Sequence, residues 1–105
     1  MISGYELGEV LFGRSLRLAV AAWIRTNESE MFFQAEVAKG VDYAQSGVSQ
    51  ELDRLGALGM LQKVPRSPGD RRQYYLRTSS PLWSIIDAAL EVVDERSFTA
   101  NQSPP

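Results

Sequence analysis

The stretch AQSGVSQELDRLGALGML, from Ala44 to Leu61, places Val48, Leu52, Leu55 and Leu58 at intervals of four, three and three residues. That is the period of a helix with one face committed to a core. The direction opposite Val48 holds Ser46, Ser49, Gln50, Asp53 and Ala57, with Arg54 on the flank. These are small, amidic or charged groups, so the two faces of this helix serve different ends. A chain that contains it must supply a core on one side and leave the other side open.

The surrounding segments supply that core. Leu16, Ala19, Val20, Trp23 and Ile24 share one side of a helical period, with Arg14, Arg17, Ala21 and Arg25 on the other, and Thr26 to Ser29 end the run. Before it, Gly4, Gly8 and Gly13 punctuate Tyr5, Leu7, Val10, Leu11 and Phe12, which reads as a short helix. A further short helix is expected over Phe32 to Lys39, with Phe33 and Val37 inward and Gly40 as its left-handed cap. Asp42 to Gln45 then form a tight link, and the Ser46 hydroxyl is expected to cap the helix of Val48.

Two extended runs follow, Met60 to Pro65 and Arg71 to Thr78, joined by Arg66-Ser67-Pro68-Gly69-Asp70. A Pro-Gly turn between such runs reads as a β-hairpin, with Tyr74 and Leu76 facing one way and Gln73, Tyr75 and Arg77 the other. Ser80 as cap and Pro81 at the first helical position open a last helix from Leu82 to about Arg96. The expected architecture is mainly α with a small β-hairpin: one domain over residues 1 to 98 and a disordered tail over 99 to 105.

Composition narrows the chemistry. The 105 residues contain neither cysteine nor histidine, which removes disulfides, thiolate and imidazole metal sites, nucleophile–histidine pairs and the usual neutral-pH proton shuttle. Glu91, Asp94 and Glu95 fall on a helix surface and read as a solvated face, so no enzyme, metal site or cofactor is expected. No basic start followed by an apolar run resembles a signal peptide, and the longest apolar stretch, Leu18 to Ile24, is too short to span a bilayer. The expected location is the cytoplasm, with no membrane partner.

Charge is unevenly spread. Residues 1 to 38 carry three basic and five acidic groups, residues 39 to 77 seven and four, and residues 78 to 105 one and four, giving balances of -2, +3 and -3. Only the middle third is basic, as a localised polyanion-binding surface requires. A helix lying deep in the major groove needs short residues near phosphate and an amide or guanidinium at base edges, and glutamine can bridge adenine N6 and N7. The expected contacts to double-stranded DNA are Gln45, Ser46, Gly47, Ser49, Gln50 and Arg54 on the helix, with Arg66, Arg71 and Arg72 at the hairpin. If each subunit of a dimer neutralises about three phosphates, affinity falls roughly a thousandfold between 50 and 200 mM salt.

FGRSLRLAVAAWI, QSGVSQELDRLGALGMLQKV and GDRRQYYLRTSSPL, from Phe12 onward, together resemble the winged helix-turn-helix repressors of the ArsR type. The middle segment matches a recognition helix common to winged helices in general, MarR-like ones included, and the short length points to the ArsR type. The resemblance implies a homodimeric transcriptional repressor with the hairpin as a wing along the minor groove or backbone. It departs from the family where a basic residue often stands, at Gln50 and Asp53, and it lacks the cysteines and histidines of the family's metal sensors.

The last helix offers two apolar rows, Leu82, Ile85, Ala89 and Val92 beside Trp83, Ile86, Leu90 and Val93. Two rows exceed what one small domain covers, so Trp83, Ile86, Leu90 and Val93, with Leu11 and Phe12, are expected to pair with a second copy. Such a dimer would hold its reading helices roughly 34 Å apart and call for an inverted-repeat site. The alternative is a winged helix that grips a protein, which the overall acidity and Asp53 favour and the arginine-rich hairpin opposes. No residue identifies an effector.

Overall fold

The polypeptide path was established from a computed structural model, which describes residues 2 to 93. The expected 99 to 105 tail lies outside the described residues, while the last helix, expected to reach about Arg96, stops at Glu91, with Val92 as its C-cap and Val93 bridging to Ile2.

The structure is organised around a helix that is apolar nearly all round. Helix α1, Gly4–Phe12, starts from Ser3, whose hydroxyl accepts the Glu6 N–H at 3.0 Å, and stops at Gly13 in the left-handed region, φ 83°. Helix α2, Ser15–Thr26, follows at once and buries Leu16, Leu18, Ala19, Val20, Ala21, Ala22 and Ile24. Ala21 and Leu18 are therefore core, not part of a polar face: α1 covers the side that a surface helix would leave wet. The C-terminal carbonyls of α2 are met by a cation, because Arg77 Nη1 donates to the carbonyls of Ile24, Arg25 and Asn27 at 2.7, 3.2 and 3.3 Å.

The next segment departs from expectation. Met31–Phe33 is a strand, β1, and helix α3 begins one residue later, Gln34–Val41. Phe33 thus precedes the helix, and the Glu36 carboxylate accepts its N–H at 3.0 Å. Phe32 is the residue that enters the core, edge-on to Trp23 and stacked on Tyr75, both with ring centres 5.9 Å away. Gly40 is inside α3, not its cap. A Cβ there would lie 2.0 Å from Trp23 Nε1, so glycine is required by the close approach of α2. The left-handed cap is Asp42, φ 54°, a residue whose short polar side chain tolerates that region.

Helix α4, Gln45–Ala57, follows with Ala44 as its N-cap residue. Ser46 therefore sits within the first turn and makes no cap. Strands β2, Leu61–Val64, and β3, Tyr74–Arg77, form the expected hairpin, but β1 adds to the free edge of β3, giving an antiparallel sheet in the order β1-β3-β2. Tyr75, in the central strand, pairs with Phe32 on one side and Lys63 on the other. At the hairpin tip the Asp70 N–H bonds the Ser67 carbonyl at 3.1 Å and Gly69 has φ 83°, which fits a type II turn with Pro68 at its second position. Helix α5, Trp83–Glu91, begins after a tight turn from Ser80, and Trp83 Nε1 donates to the Met60 carbonyl at 3.2 Å inside the core.

Candidate nucleic-acid interface

Helix α4 is held by its inner face. Val48 and Leu52 are fully buried, and beside them is Glu51, the one buried charged residue among those described, with 3% of its surface exposed. A carboxylate in that position needs partners. It has three: Arg14 Nη1 at 3.0 Å, Arg17 Nε at 3.3 Å and Arg54 Nε at 3.9 Å. Arg14 and Arg17 come from the start of α2, where the Gly13 turn delivers them, and Arg17 also donates to the Phe12 carbonyl at 2.8 Å. The ion pairs from Arg14 and Arg17 pin α4 to the start of α2.

The outer face of α4 is open. Gln45, Ser46, Gln50, Asp53 and Arg54 are exposed and Ser49 is half-buried. Gly47 is the exception among the expected contacts, being buried: a Cβ there would lie 2.8 Å from the Tyr43 ring and 3.3 Å from Arg14 Nη2. Its role is to let Tyr43 and Arg14 close over the start of α4, not to face a groove. Gln45 and Gln50 both carry neighbours, Gln34 Nε2 at 3.4 Å from Gln45 Oε1 and Arg14 Nη1 at 3.2 Å from Gln50 Oε1. Asp53 forms no ion pair among the described residues.

The hairpin divides its arginines. Arg72 is engaged, with Nε and Nη2 3.1 and 3.2 Å from the two oxygens of Asp70, its own N–H 3.0 Å from Asp70 Oδ1, and its guanidinium over the Phe33 and Tyr74 rings. The side-chain hydrogen bond from Arg72 holds the Asp70 carboxyl below the usual carboxylate range. Arg77 points away from the tip altogether, onto the end of α2. Arg66 and Arg71 are exposed and form neither an ion pair nor a side-chain hydrogen bond among the described residues.

This arrangement has counterparts among solved structures. The apo form of wild-type MarR from E. coli matches with a TM-score of 0.63 at 18% identity, over 89% of this chain and 67% of that one. A mutant MepR from a multidrug-resistant S. aureus clinical isolate matches with a TM-score of 0.62 at 17% identity, over 78% of this chain. The chain spans 59% of that MepR. The S. aureus MepR-DNA complex matches with a TM-score of 0.59 at 16% identity, over 84% of this chain and 69% of that one. The fold is that of the MarR-type winged helix. No protein-family model and no curated protein matches the sequence.

In winged-helix terms α4 is the second helix of the helix-turn-helix, and β2 and β3 form the wing. The expected pairing surface is divided. Trp83, Ile86 and Val93 are buried within the protomer and unavailable to a partner, and Phe12 and Leu90 pack partly against the same core. Leu11, at 62%, is exposed, together with Val10, Leu58, Ile85 and Val92. The outward row of α5 is therefore Ile85 and Val92, the neighbour of the row expected. Beside it a cavity of about 430 Å³ opens between α2, α4 and α5, lined by Phe12, Leu18, Leu55, Leu82, Ile85 and Ile86.

Sequence reasoning missed Arg14, Arg17 and Glu51. Position 51 lies beside the Val48-Leu52-Leu55 stripe, so a carboxylate there signals a buried partner, and Arg14 and Arg17, three apart on one helix, were the available cations.

Proposed function

We propose that this protein is a sequence-specific, double-stranded DNA-binding transcription regulator that works as a homodimer on an inverted-repeat operator. The observation that carries this reading is an open face of amides and hydroxyls on α4, pinned from behind by Glu51, beside a wing whose tip holds two unengaged arginines. Base contacts fall to Gln45, Ser46, Ser49 and Gln50 in the major groove, and phosphate contacts to Arg66 and Arg71. Repression by occupying the operator is the mode that needs nothing beyond duplex binding, and it would take place in the cytoplasm. The likeness to MarR and MepR structures, including a MepR-DNA complex, supports a MarR-like over an ArsR-like affiliation.

The second subunit covers Leu11, Ile85 and Val92, apolar groups that a lone protomer leaves in water. Leu11→Glu with Ile85→Glu is expected to yield a folded monomer by analytical ultracentrifugation, bound to operator far more weakly than the parent.

The test of DNA binding is an electrophoretic shift with random duplex and with duplexes selected from a random pool. Binding that Arg66→Ala/Arg71→Ala weakens alike on all sequences, and that Gln50→Ala weakens on selected ones only, supports the reading. Failure to shift any duplex, at low salt and micromolar protein, would turn the assignment toward a protein-binding winged helix.

A further inference from the structure

The recognition helix shows two exposed glutamines, and their neighbours treat them differently. Gln45 meets another amide, Gln34, at 3.4 Å. The same Gln34 Nε2 also lies 3.4 Å from the main-chain carbonyl of Gln45, so this pair rests on two long bonds between neutral groups. Gln50 meets a guanidinium. Arg14 Nη1 lies 3.2 Å from Gln50 Oε1 and 3.0 Å from Glu51 Oε2, so its two hydrogens serve the oxygens of adjacent residues. Arginine donates five N–H groups and accepts nothing, which leaves Gln50 one usable orientation there. Its oxygen turns back to Arg14 and its NH2 points out.

Arg14 is itself held in place. It stands at the N-cap of α2, directly after the left-handed turn at Gly13, and its ion pair is with the carboxylate that Arg17 and Arg54 also hold. Gly47, lacking a Cβ, leaves the room Arg14 needs to reach across. The anchor is part-buried and charge-assisted, so it is stronger than an ordinary surface hydrogen bond.

Resting on the DNA-reading function proposed above, we propose that Arg14 is a positioning residue that fixes the hydrogen-bond polarity of Gln50. Gln50 then offers donors and reads guanine, whose N7 and O6 are both acceptors. A freely turning glutamine would instead bridge adenine N7 and N6, which needs donor and acceptor together. Arg14 touches no base in this scheme; it selects the base through the amide it orients.

Selection from a random duplex pool tests this with the parent protein, Gln50→Ala, Arg14→Met and Arg14→Lys. The pair whose preference Gln50→Ala abolishes is the one Gln50 reads, and it is expected to be G·C in the parent. Replacing that guanine by 7-deazaguanine, which lacks the N7 acceptor, is expected to weaken the parent about tenfold and leave Gln50→Ala unaffected. Arg14→Met, freeing the amide, shifts the preference at that pair alone toward A·T, while Arg14→Lys, still a donor, retains G·C. An A·T preference in the parent overturns the proposal without reference to any Arg14 variant. So does a folded Arg14→Met protein with unchanged preference, or a Gln50→Ala protein that relaxes no pair. Each of these leaves duplex binding itself intact, whereas a parent that selects no sequence removes the DNA-reading function on which the inference stands.

Discussion

Helix α4 and the wing each have arginines around them, and those arginines are used in opposite ways. Around α4, Arg14, Arg17 and Arg54 converge on one buried carboxylate, so three cations spend their geometry on fixing a helix. At the wing, Arg72 is closed off by Asp70 and two aromatic rings, and Arg66 and Arg71 extend freely into solvent. The first arrangement is preorganised, as base readout demands, because a reading side chain must arrive at a fixed depth and angle. The second leaves Arg66 and Arg71 unheld by any carboxylate among the described residues, which suits the phosphate contacts proposed for them, since those carry no sequence information. Arginine count alone does not distinguish them; what distinguishes them is whether a carboxylate lies within reach.

The largest effect that would separate the two regions is at Glu51. Glu51→Ala leaves guanidiniums facing one another around an emptied site, and it is expected to destabilise the protein by roughly 3 kcal/mol in urea unfolding, the scale of breaking a buried ion pair. A loss under about 0.5 kcal/mol, ordinary for a surface change, would show that the network does not hold the helix. Arg66→Ala/Arg71→Ala is expected to leave unfolding unchanged and to act on salt dependence alone. If the two free arginines at each wing tip make the phosphate contacts, a dimer neutralises about four phosphates and loses roughly a hundredfold in affinity between 50 and 200 mM salt, a tenth of what a count of three per subunit implies. The double variant should flatten that slope. A slope that survives would shift the phosphate contacts to the cations around Glu51.

A smaller effect is expected from Asp53, which is exposed on α4 with no cation paired to it among the described residues. A carboxylate near phosphate opposes binding by about one unit-charge interaction in water, so Asp53→Asn should raise affinity roughly fivefold on every sequence in filter binding. A sequence-dependent change would mean that Asp53 accepts from a cytosine amine and reads a base.

The division between the two regions also marks what was legible in the sequence. Periodicity revealed α4 and its open face, because the Val48-Leu52-Leu55 stripe repeats over several turns, although Leu58, expected in the same buried stripe, lies at the C-cap and is exposed. The Pro-Gly turn revealed the wing. What escaped depended on contacts between distant segments. Met31–Phe33 is too short to show alternation, and it is a strand because the edge of β3 is there to pair with. Gly40 resembles a cap until Trp23 is found lying on it, and Asp42 does the capping. The engagement of Arg72 and Arg77 left the hairpin with two free arginines instead of four, and α2, read as amphipathic, lost its solvent face to α1. On α5 the periodicity identified two apolar rows but could not say which one the protomer would bury itself.

The smallest effects come from the exposed carboxylate pairs, and they locate the wing's brace apart from the core's. Arg25 grips Asp87 with two bonds, at 2.7 and 2.8 Å, joining α2 to α5, while Arg72 grips Asp70 within the wing. In each case the arginine's hydrogen bond lowers the pKa of the carboxyl. A carboxyl whose pKa is depressed by folding contributes stability above its ordinary value and loses it as pH falls through the lowered one. Both braces therefore hold at neutral and mildly acidic pH and release only in the acid range below the usual carboxylate pKa. Asp87→Asn should flatten the acid limb of the stability curve, read by thermal unfolding. Asp70→Asn should leave that limb almost unchanged, since a wing tip can loosen while α2 and α5 stay packed. It should also free Arg72 and steepen the salt dependence of DNA binding, moving the wing further from the carboxylate-held state of the recognition helix. If Asp70→Asn instead flattens the acid limb as much as Asp87→Asn does, the wing is part of the same cooperative unit as the helices, and the contrast between a fixed reader and a separate wing fails at the tip.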